Sequence, residues 1–189
     1  MINRIAFQNR LKTYNLFTKV NDSQMRGINY IIDYWESNKL YVDKRWLAYI
    51  LATAYHETGR VMEPVEELGK GLRRPYGEKI KQSKRRYTVP DKLYYGRGLV
   101  QITWYENYQK FSNIIGIDLL NNPEEAMRMS TAIHIMFTGM TDGLFTGVNL
   151  SRYFNDIRED YVNARKIING TDCSEKIAVY ARSFYQCLI

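Results

Sequence analysis

Apolar side chains recur at three- and four-residue spacing along most of the chain. Met25, Ile28, Ile32 and Trp35 follow the polar cluster Asn21-Asp22-Ser23, which predicts a helix with a side-chain N-cap. A second helix is expected to start at Asp43 and run through Trp46, Leu47, Ile50, Leu51 and Ala54, with Gly59 near its end. A third spans about Trp104 to Ile115 and stops at Gly116. The fourth has Asn122 as N-cap, Pro123 in its first turn, and Glu124 and Glu125 against the helix dipole. Its apolar face is Met129, Ile133, Met136, Phe137 and Met140. Two more are expected around 161–168 and 174–188, parted by Asn169-Gly170.

Between the second and third helices this periodicity fails. Gly69, Gly71, Pro75, Gly77, Pro90, Gly96 and Gly98 break the segment. The β-prone runs 86–89 and 93–95 flank Pro90-Asp91, which predicts a small β-hairpin. There is no internal repeat. The pattern describes a mainly α chain, a single domain over residues 1–189, with an irregular middle.

Composition narrows this reading. The chain has 189 residues, 45% apolar and 25% charged, which excludes disordered and fibrous classes. The stretch from Trp46 to Tyr55 falls far short of the roughly 20 apolar residues needed to cross a bilayer, so no membrane insertion is expected. Cys173 and Cys187 are too few for a disulfide framework. The first twenty residues hold Arg4, Arg10, Lys12 and Lys19 and lack an apolar core, so synthesis in the cytoplasm without a signal peptide is expected.

The net charge of +7 is local. Residues 70–97 hold ten basic residues against two acids, which leaves that segment at +8 and the rest of the chain at −1. Such a patch suits an anionic polymer: nucleic acid, a membrane surface or bacterial wall.

Candidate chemistry begins with Ala-Tyr-His-Glu-Thr-Gly at 54–59. It sets Glu57 at the end of an apolar helix, where packing would half-bury it, the surrounding a general acid needs. Glu63, Glu66 and Glu67 crowd the next stretch, and two carboxylates in unlike surroundings are what glycoside cleavage requires. His56-Glu57 resembles the start of a zincin helix, but position 60 is Arg and the other histidine, His134, sits between Ile133 and Ile135. A catalytic metal is therefore not expected. In the run from Tyr94 to Trp104, Gly-Arg-Gly is too short to cradle a phosphate and reads as tight backbone under a cleft. Gln101 and Thr103 alternate with Val100 and Ile102 and face one side if the run is extended. Exposed Tyr and Trp rings beside such polar groups suit a sugar polymer.

His-Glu-Thr-Gly at 56–59, Met-Glu-Pro-Val-Glu-Glu at 62–67, Tyr-Gly-Arg-Gly-Leu-Val-Gln-Ile-Thr-Trp at 95–104 and Ile-Ile-Asn-Gly at 167–170 occur in that order. Together they resemble glycoside hydrolase family 19, the chitinase family of the lysozyme-like superfamily, and especially its phage and prophage endolysin branch. The resemblance implies a two-lobed helical fold with a cleft and an inverting mechanism that uses no cofactor. It makes Glu57 the general acid. It places the general base three residues after Pro64, at Glu67, with Glu66 one register step away. An inverting pair stands roughly 6.5–9.5 Å apart to admit the attacking water. Thr103 matches a hydroxyl that helps hold that water. Substrate contacts are expected at His56, Glu66, Tyr95, Arg97, Gln101, Trp104, Asn107 and Asn169.

The resemblance leaves the polymer open. The basic segment, absent from plant chitinases, favours the anionic peptidoglycan of the bacterial wall over neutral chitin. The chain is thus expected to be a monomer that cuts β-1,4 aminosugar bonds of peptidoglycan after release to the wall. Chitinase activity is the first alternative, and a non-catalytic wall- or nucleic-acid-binding module is the second. Nucleic acid is not the expected partner.

Overall fold

Asn21 opens one of the expected helices with a reciprocal cap. Its side chain accepts from the Gln24 N–H at 2.8 Å, and the Gln24 side chain accepts from the Asn21 N–H at 2.9 Å, which satisfies two donors that a helix start leaves unpaired. The computed structural model describes residues 1–38 and 42–189. Among them six α-helices follow in chain order: α1 (Arg4–Thr13), α2 (Asp22–Ser37), α3 (Lys44–Glu57), α4 (Tyr105–Ile115), α5 (Met129–Thr141) and α6 (Ser174–Leu188). Two short antiparallel ladders join β1 (Val65–Glu66) to β2 (Arg97–Gly98) and β3 (Phe154–Asn155) to β4 (Arg158–Glu159). The mainly helical expectation holds. No helix among the described residues is long and apolar enough to span a membrane.

The chain divides into two compact units, residues 1–62 with 136–189, and residues 63–135. The first is built around α3, in which every residue from Leu47 to Tyr55 is buried. A helix apolar on all sides belongs at the centre. It is covered by Ile177, Ala178, Ala181, Phe184 and Leu188 of α6, and by Ile28, Ile31, Ile32 and Trp35 of α2. Tyr55 meets Tyr180 and Phe184 edge-to-face at 4.8 and 5.7 Å. Its hydroxyl donates to the Leu16 carbonyl.

Gly27 lets α2 approach the turn that follows α3. A Cβ there would lie 1.9 Å from the Met62 carbonyl oxygen. Gly27→Ala is therefore expected to lose about 1–3 kcal/mol of stability, although alanine is the better helix former by roughly 1 kcal/mol. Urea unfolding checks this, and a raised midpoint would refute the close approach.

The second unit has a tyrosine core. Tyr94 sits 5.1–5.4 Å from the rings of Tyr87, Tyr105 and Tyr108, and its hydroxyl donates to the Leu120 carbonyl at 2.9 Å. Phe111, Leu99, Ile102 and Leu119 are fully or nearly fully buried around it. β2 packs on a 3₁₀ turn, Pro123–Met127. Gly98, at φ +93°, lies where a Cβ would sit 3.1 Å from the Ala126 carbonyl oxygen, so the approach needs glycine.

Several elements differ from expectation. The fourth helix begins at Met129: Pro123–Met127 is a separate 3₁₀ turn, and Arg128 between them is extended at ψ 131°. The helix expected over 161–168 is reduced to a 3₁₀ turn, Asn163–Ile167. The hairpin about Pro90-Asp91 does not form, because Arg86 bridges to Ile80 instead. The Tyr87 N–H donates to the Lys79 carbonyl at 3.0 Å, and the Lys79 ammonium pairs with Asp91. These bonds fold residues 79–92 back on themselves. α1 is not among the helices that the apolar spacing predicts. It is capped by Asn3, and its buried side chains are Phe7 and Leu11, a stripe too narrow to register as periodic.

Candidate active site

Glu57 is the last residue of α3. The helix ends there because the Thr58 hydroxyl donates to the Ala54 carbonyl at 2.6 Å and accepts from the Met62 N–H at 3.0 Å. Gly59, Arg60 and Met62 then take φ of +58°, +74° and +62°, and the two non-glycine residues carry strain of about 1–3 kcal/mol each. The Glu57 side chain is 17% exposed, and its Oε1 accepts from Arg165 Nη1 at 2.6 Å. Arg165 is itself buried, and its Nε donates to the Asp172 carbonyl at 3.1 Å. His56 is half-buried, and that burial holds its imidazole below the ordinary histidine value, so it is neutral at neutral pH. Asn169 follows the 3₁₀ turn that carries Arg165. Its N–H donates to the Arg165 carbonyl at 3.1 Å, and its side chain accepts from the Gly170 N–H at 2.9 Å.

Glu66 and Glu67 belong to the second unit, where β1–β2 pairing sets Glu66 opposite Arg97. Glu66 Oε1 accepts from the Tyr95 hydroxyl at 2.8 Å, with Arg97 Nε 3.6 Å away. Oε2 pairs with Lys70 Nζ at 3.0 Å. The Lys70 and Tyr95 hydrogen bonds, with the Arg97 charge behind them, hold this carboxyl below the usual glutamate range. It is an ionised proton acceptor at neutral pH. Arg97 is buried beneath it, stacked 3.6 Å from the Tyr95 ring, and donates to the Leu93 carbonyl and the Tyr108 hydroxyl, each at 3.0 Å. Glu67 turns the other way. Its oxygens accept from the Tyr76 hydroxyl at 2.8 Å and the Gly96 N–H at 3.0 Å. Burial, then the bond to Glu67, pushes the Tyr76 phenol up to about 12, so it stays a donor.

The Gly-Arg-Gly segment is tight backbone, as expected, but the run after it is not extended. The Arg97 and Ile102 backbones exchange hydrogen bonds at 3.3 and 3.0 Å, and Gln101 sits at φ +50°. The premise that Gln101 and Thr103 face one side by strand alternation therefore fails. Gln101 Nε2 donates to the Val65 carbonyl at 2.7 Å and so ties the loop to β1. The Thr103 hydroxyl donates to the Gln101 carbonyl at 3.2 Å, and Asn107 Nδ2 to the Thr103 carbonyl at 2.8 Å. The expected exposed tyrosines are also corrected: Tyr94 is fully buried and Tyr95 nearly so. Trp104, at φ +76°, remains half-exposed with its ring edge-to-face on Tyr76 at 5.1 Å.

The second unit thus gathers Glu66, Glu67, Tyr95, Arg97 and Gln101, and the first gathers Glu57, His56 and Asn169 around Arg165. Lys70, Tyr76 and Arg165 are not among the residues that the motifs point to at the site. Arg165 left a trace, since it lies between Ala164 and Ile167, which are buried and one helical turn apart. Lys70 is four residues beyond Glu66, a spacing that pairs charges where the chain turns.

Comparison with known proteins gives these residues a context. The chitinase class I model of glycoside hydrolase family 19 matches residues 33–141. An endochitinase of Arabidopsis thaliana is 37% identical over 134 residues, 70% of this chain and 46% of that protein. The inactive chitinase-like protein 1 of Hevea brasiliensis is 51% identical over 36 residues, 19% of this chain and 12% of that protein. The chain spans less than half the length of these curated relatives. Among solved structures, chitinase C from Streptomyces griseus superposes with a TM-score of 0.64 at 19% identity, covering 99% of this chain and 76% of that one. A class IV chitinase from Zea mays gives 0.54 at 20% identity, covering 90% and 81%. These two likenesses are of fold.

Proposed function

The chain belongs to glycoside hydrolase family 19, the chitinase class I family, and from that premise we propose that it is an inverting glycosidase of bacterial peptidoglycan. Glu57 is the general acid. Glu66 is the general base in place of Glu67: one of its oxygens is anchored by Tyr95 and Arg97, while the other is held only by Lys70, whose side chain is 63% exposed. An exposed pair of this kind is weak, so that oxygen is free to exchange lysine for a water. Both Glu67 oxygens are held by donors of the fold itself. Tyr95, Arg97 and Gln101 act as positioning residues behind Glu66, and Thr103 orients the water. His56, Trp104, Asn107 and Asn169 are proposed substrate contacts.

The observation that carries the choice of polymer is the basic segment. Arg73, Arg74, Lys84, Arg85, Arg86 and Lys92 are all exposed, and none makes an ion pair among the described residues. Peptidoglycan and its attached polymers are anionic, whereas chitin is neutral. Chitin is the second reading, favoured by the endochitinases among the relatives. Digesting purified peptidoglycan and colloidal chitin side by side, with product masses read out, separates the two; activity on chitin alone would overturn the first.

The segment also yields a prediction about salt. At about 0.15 M the screening length is roughly 8 Å, so lysis of whole wall is expected to fall as salt rises further. Turnover of a short neutral chito-oligosaccharide is expected to stay flat. Replacing Lys84, Arg85 and Arg86 with Ser is expected to mimic high salt on wall and leave the small substrate unaffected. Parallel losses on both substrates would mean that the segment shapes the site rather than holding polymer.

A further inference from the structure

At the end of α3 that carries Glu57, the first unit has a pocket whose lining does not include Glu57. It is open to solvent, has a volume of about 170 Å³ and is lined by Tyr55, His56, Gly59, Arg60, Lys176 and Tyr180. On this measure one water needs about 10–15 Å³, so a small substituent fits with solvent to spare. Two of its walls are tyrosine rings in edge-to-face contact at 4.8 Å. Two of its side chains are cations, and neither Arg60 nor Lys176 has an acidic partner among the described residues. Carboxylates do act on His56, from Glu57 and Asp172, yet its burial outweighs them and keeps the ring neutral. The lining is therefore cationic, with one neutral hydrogen-bonding ring.

Arg60 is the unusual member. It occupies a left-handed backbone position at φ +74°, where glycine would be unstrained and arginine is not. The turn holds it there through its N–H, which donates to the Tyr55 carbonyl at 2.8 Å, and its carbonyl, which accepts from Gln24 Nε2 at 3.0 Å. Its guanidinium lies 5.5 Å from the Tyr55 ring centroid. A strained residue that presents a charge to a cavity points from structure to binding.

We infer that this pocket is a subsite for a carboxylate carried on a short arm of the substrate sugar. The guanidinium fork of Arg60 matches a carboxylate in two-point geometry, Lys176 adds a second charge, and the tyrosine rings accept the apolar part of the arm. The lactyl ether of N-acetylmuramic acid has this form, a carboxylate beside a methyl group, on glycan strands whose stem peptides have been removed; where the peptide is attached, the same carboxyl is an uncharged amide. Chitin has nothing equivalent. The inference rests on the glycosidase reading and deepens it, because such a pocket would favour strands whose muramic sugar carries the free acid over strands that still bear their peptides and over chitin.

The test is calorimetric titration with the N-acetylglucosamine–N-acetylmuramic acid disaccharide and with the same disaccharide after reduction of its lactyl carboxyl to an alcohol. The intact protein is expected to bind the acid about tenfold more tightly, the scale of one charge-assisted hydrogen bond. Arg60→Gly, which also relieves the backbone, and Lys176→Gln are each expected to erase most of that preference. Equal affinity for the two sugars, no measurable binding of either, or a preference that survives both substitutions would overturn the proposal. Binding needs no bond cleavage, so a preference without turnover would sink the glycosidase reading and leave the subsite standing. Turnover without a preference would do the reverse.

Discussion

Replacing Glu57 with Gln is expected to lower turnover of wall polymer by about 10²–10⁴-fold, the usual contribution of a positioned general acid. The amide cannot deliver a proton to the leaving oxygen. It can still accept from Arg165, which donates to Glu57 at 2.6 Å from a side chain only 5% exposed. The loss of stability is therefore expected to stay at about 1–2 kcal/mol, because the hydrogen bond survives and only the charge is removed. Glu57→Ala is the contrasting variant. It leaves the buried guanidinium without its carboxylate, with the Asp172 carbonyl still accepting from it, and breaking a buried pair from one side costs roughly 3–5 kcal/mol. Initial rates on purified peptidoglycan, with urea unfolding of both variants, check the two effects separately. Glu57→Gln activity within about tenfold of wild type would remove Glu57 from the acid role, since that is short of the smallest expected loss.

The helices that were legible in the sequence are those whose burial is one-sided or complete. α2 shows its stripe through Ile28, Ile32 and Trp35, and its cap through Asn21 and Gln24. α3 reads as a continuous apolar run because both of its sides are covered. α1 was missed for the opposite reason: Ile5 faces solvent, and Phe7 with Leu11 is too little to set a period. The fourth helix was placed too early because Asn122, Pro123 and two acids start a 3₁₀ turn as well as they start a helix. What separates the two turns is the extended backbone at Arg128, and nothing in that residue's type announces it. The hairpin fails because the backbone at Arg86 pairs with Ile80, and that of Tyr87 with Lys79, in place of the run beyond Pro90.

At the site, motif spacing identified the acidic residues but not what holds them. Arg165 is 108 positions beyond Glu57, and no local pattern links the two. Arg97 matches a substrate-contact position by motif, whereas the Tyr95 and Tyr108 rings enclose it and direct its charge to Glu66. Its burial follows from the β1–β2 register, a tertiary fact. Gln101 was read through strand alternation, which a single left-handed residue cancels.

The division of labour between Glu66 and Glu67 gives the second large effect. In extended backbone neighbouring side chains point to opposite sides, and here the two carboxylates have different partners. Glu66→Gln is expected to cut turnover by about 10²-fold or more, since an amide cannot take a proton from water. Glu67→Gln is expected to leave turnover within about threefold. Its amide oxygen can keep the bond from the Gly96 N–H while its new NH₂ group donates to the Tyr76 hydroxyl, which now donates to Glu67 but can also accept, so the loss of stability is expected to stay within about 1 kcal/mol. Equal activity losses at both positions would mean that neither is uniquely the base. The pH profile supplies an independent readout. The Lys70 and Tyr95 hydrogen bonds keep Glu66 below the usual glutamate range, so the acid limb of kcat/KM is expected below that range too. Lys70→Gln removes the largest of these causes and is expected to move the limb upward, toward the ordinary glutamate value. The sign for stability is the same: a depressed carboxyl stabilises the fold above the ordinary glutamate value, and that contribution fades as pH falls through the depressed one. An acid limb that ignores Lys70→Gln would assign the base elsewhere, whatever the two Gln variants do to rate.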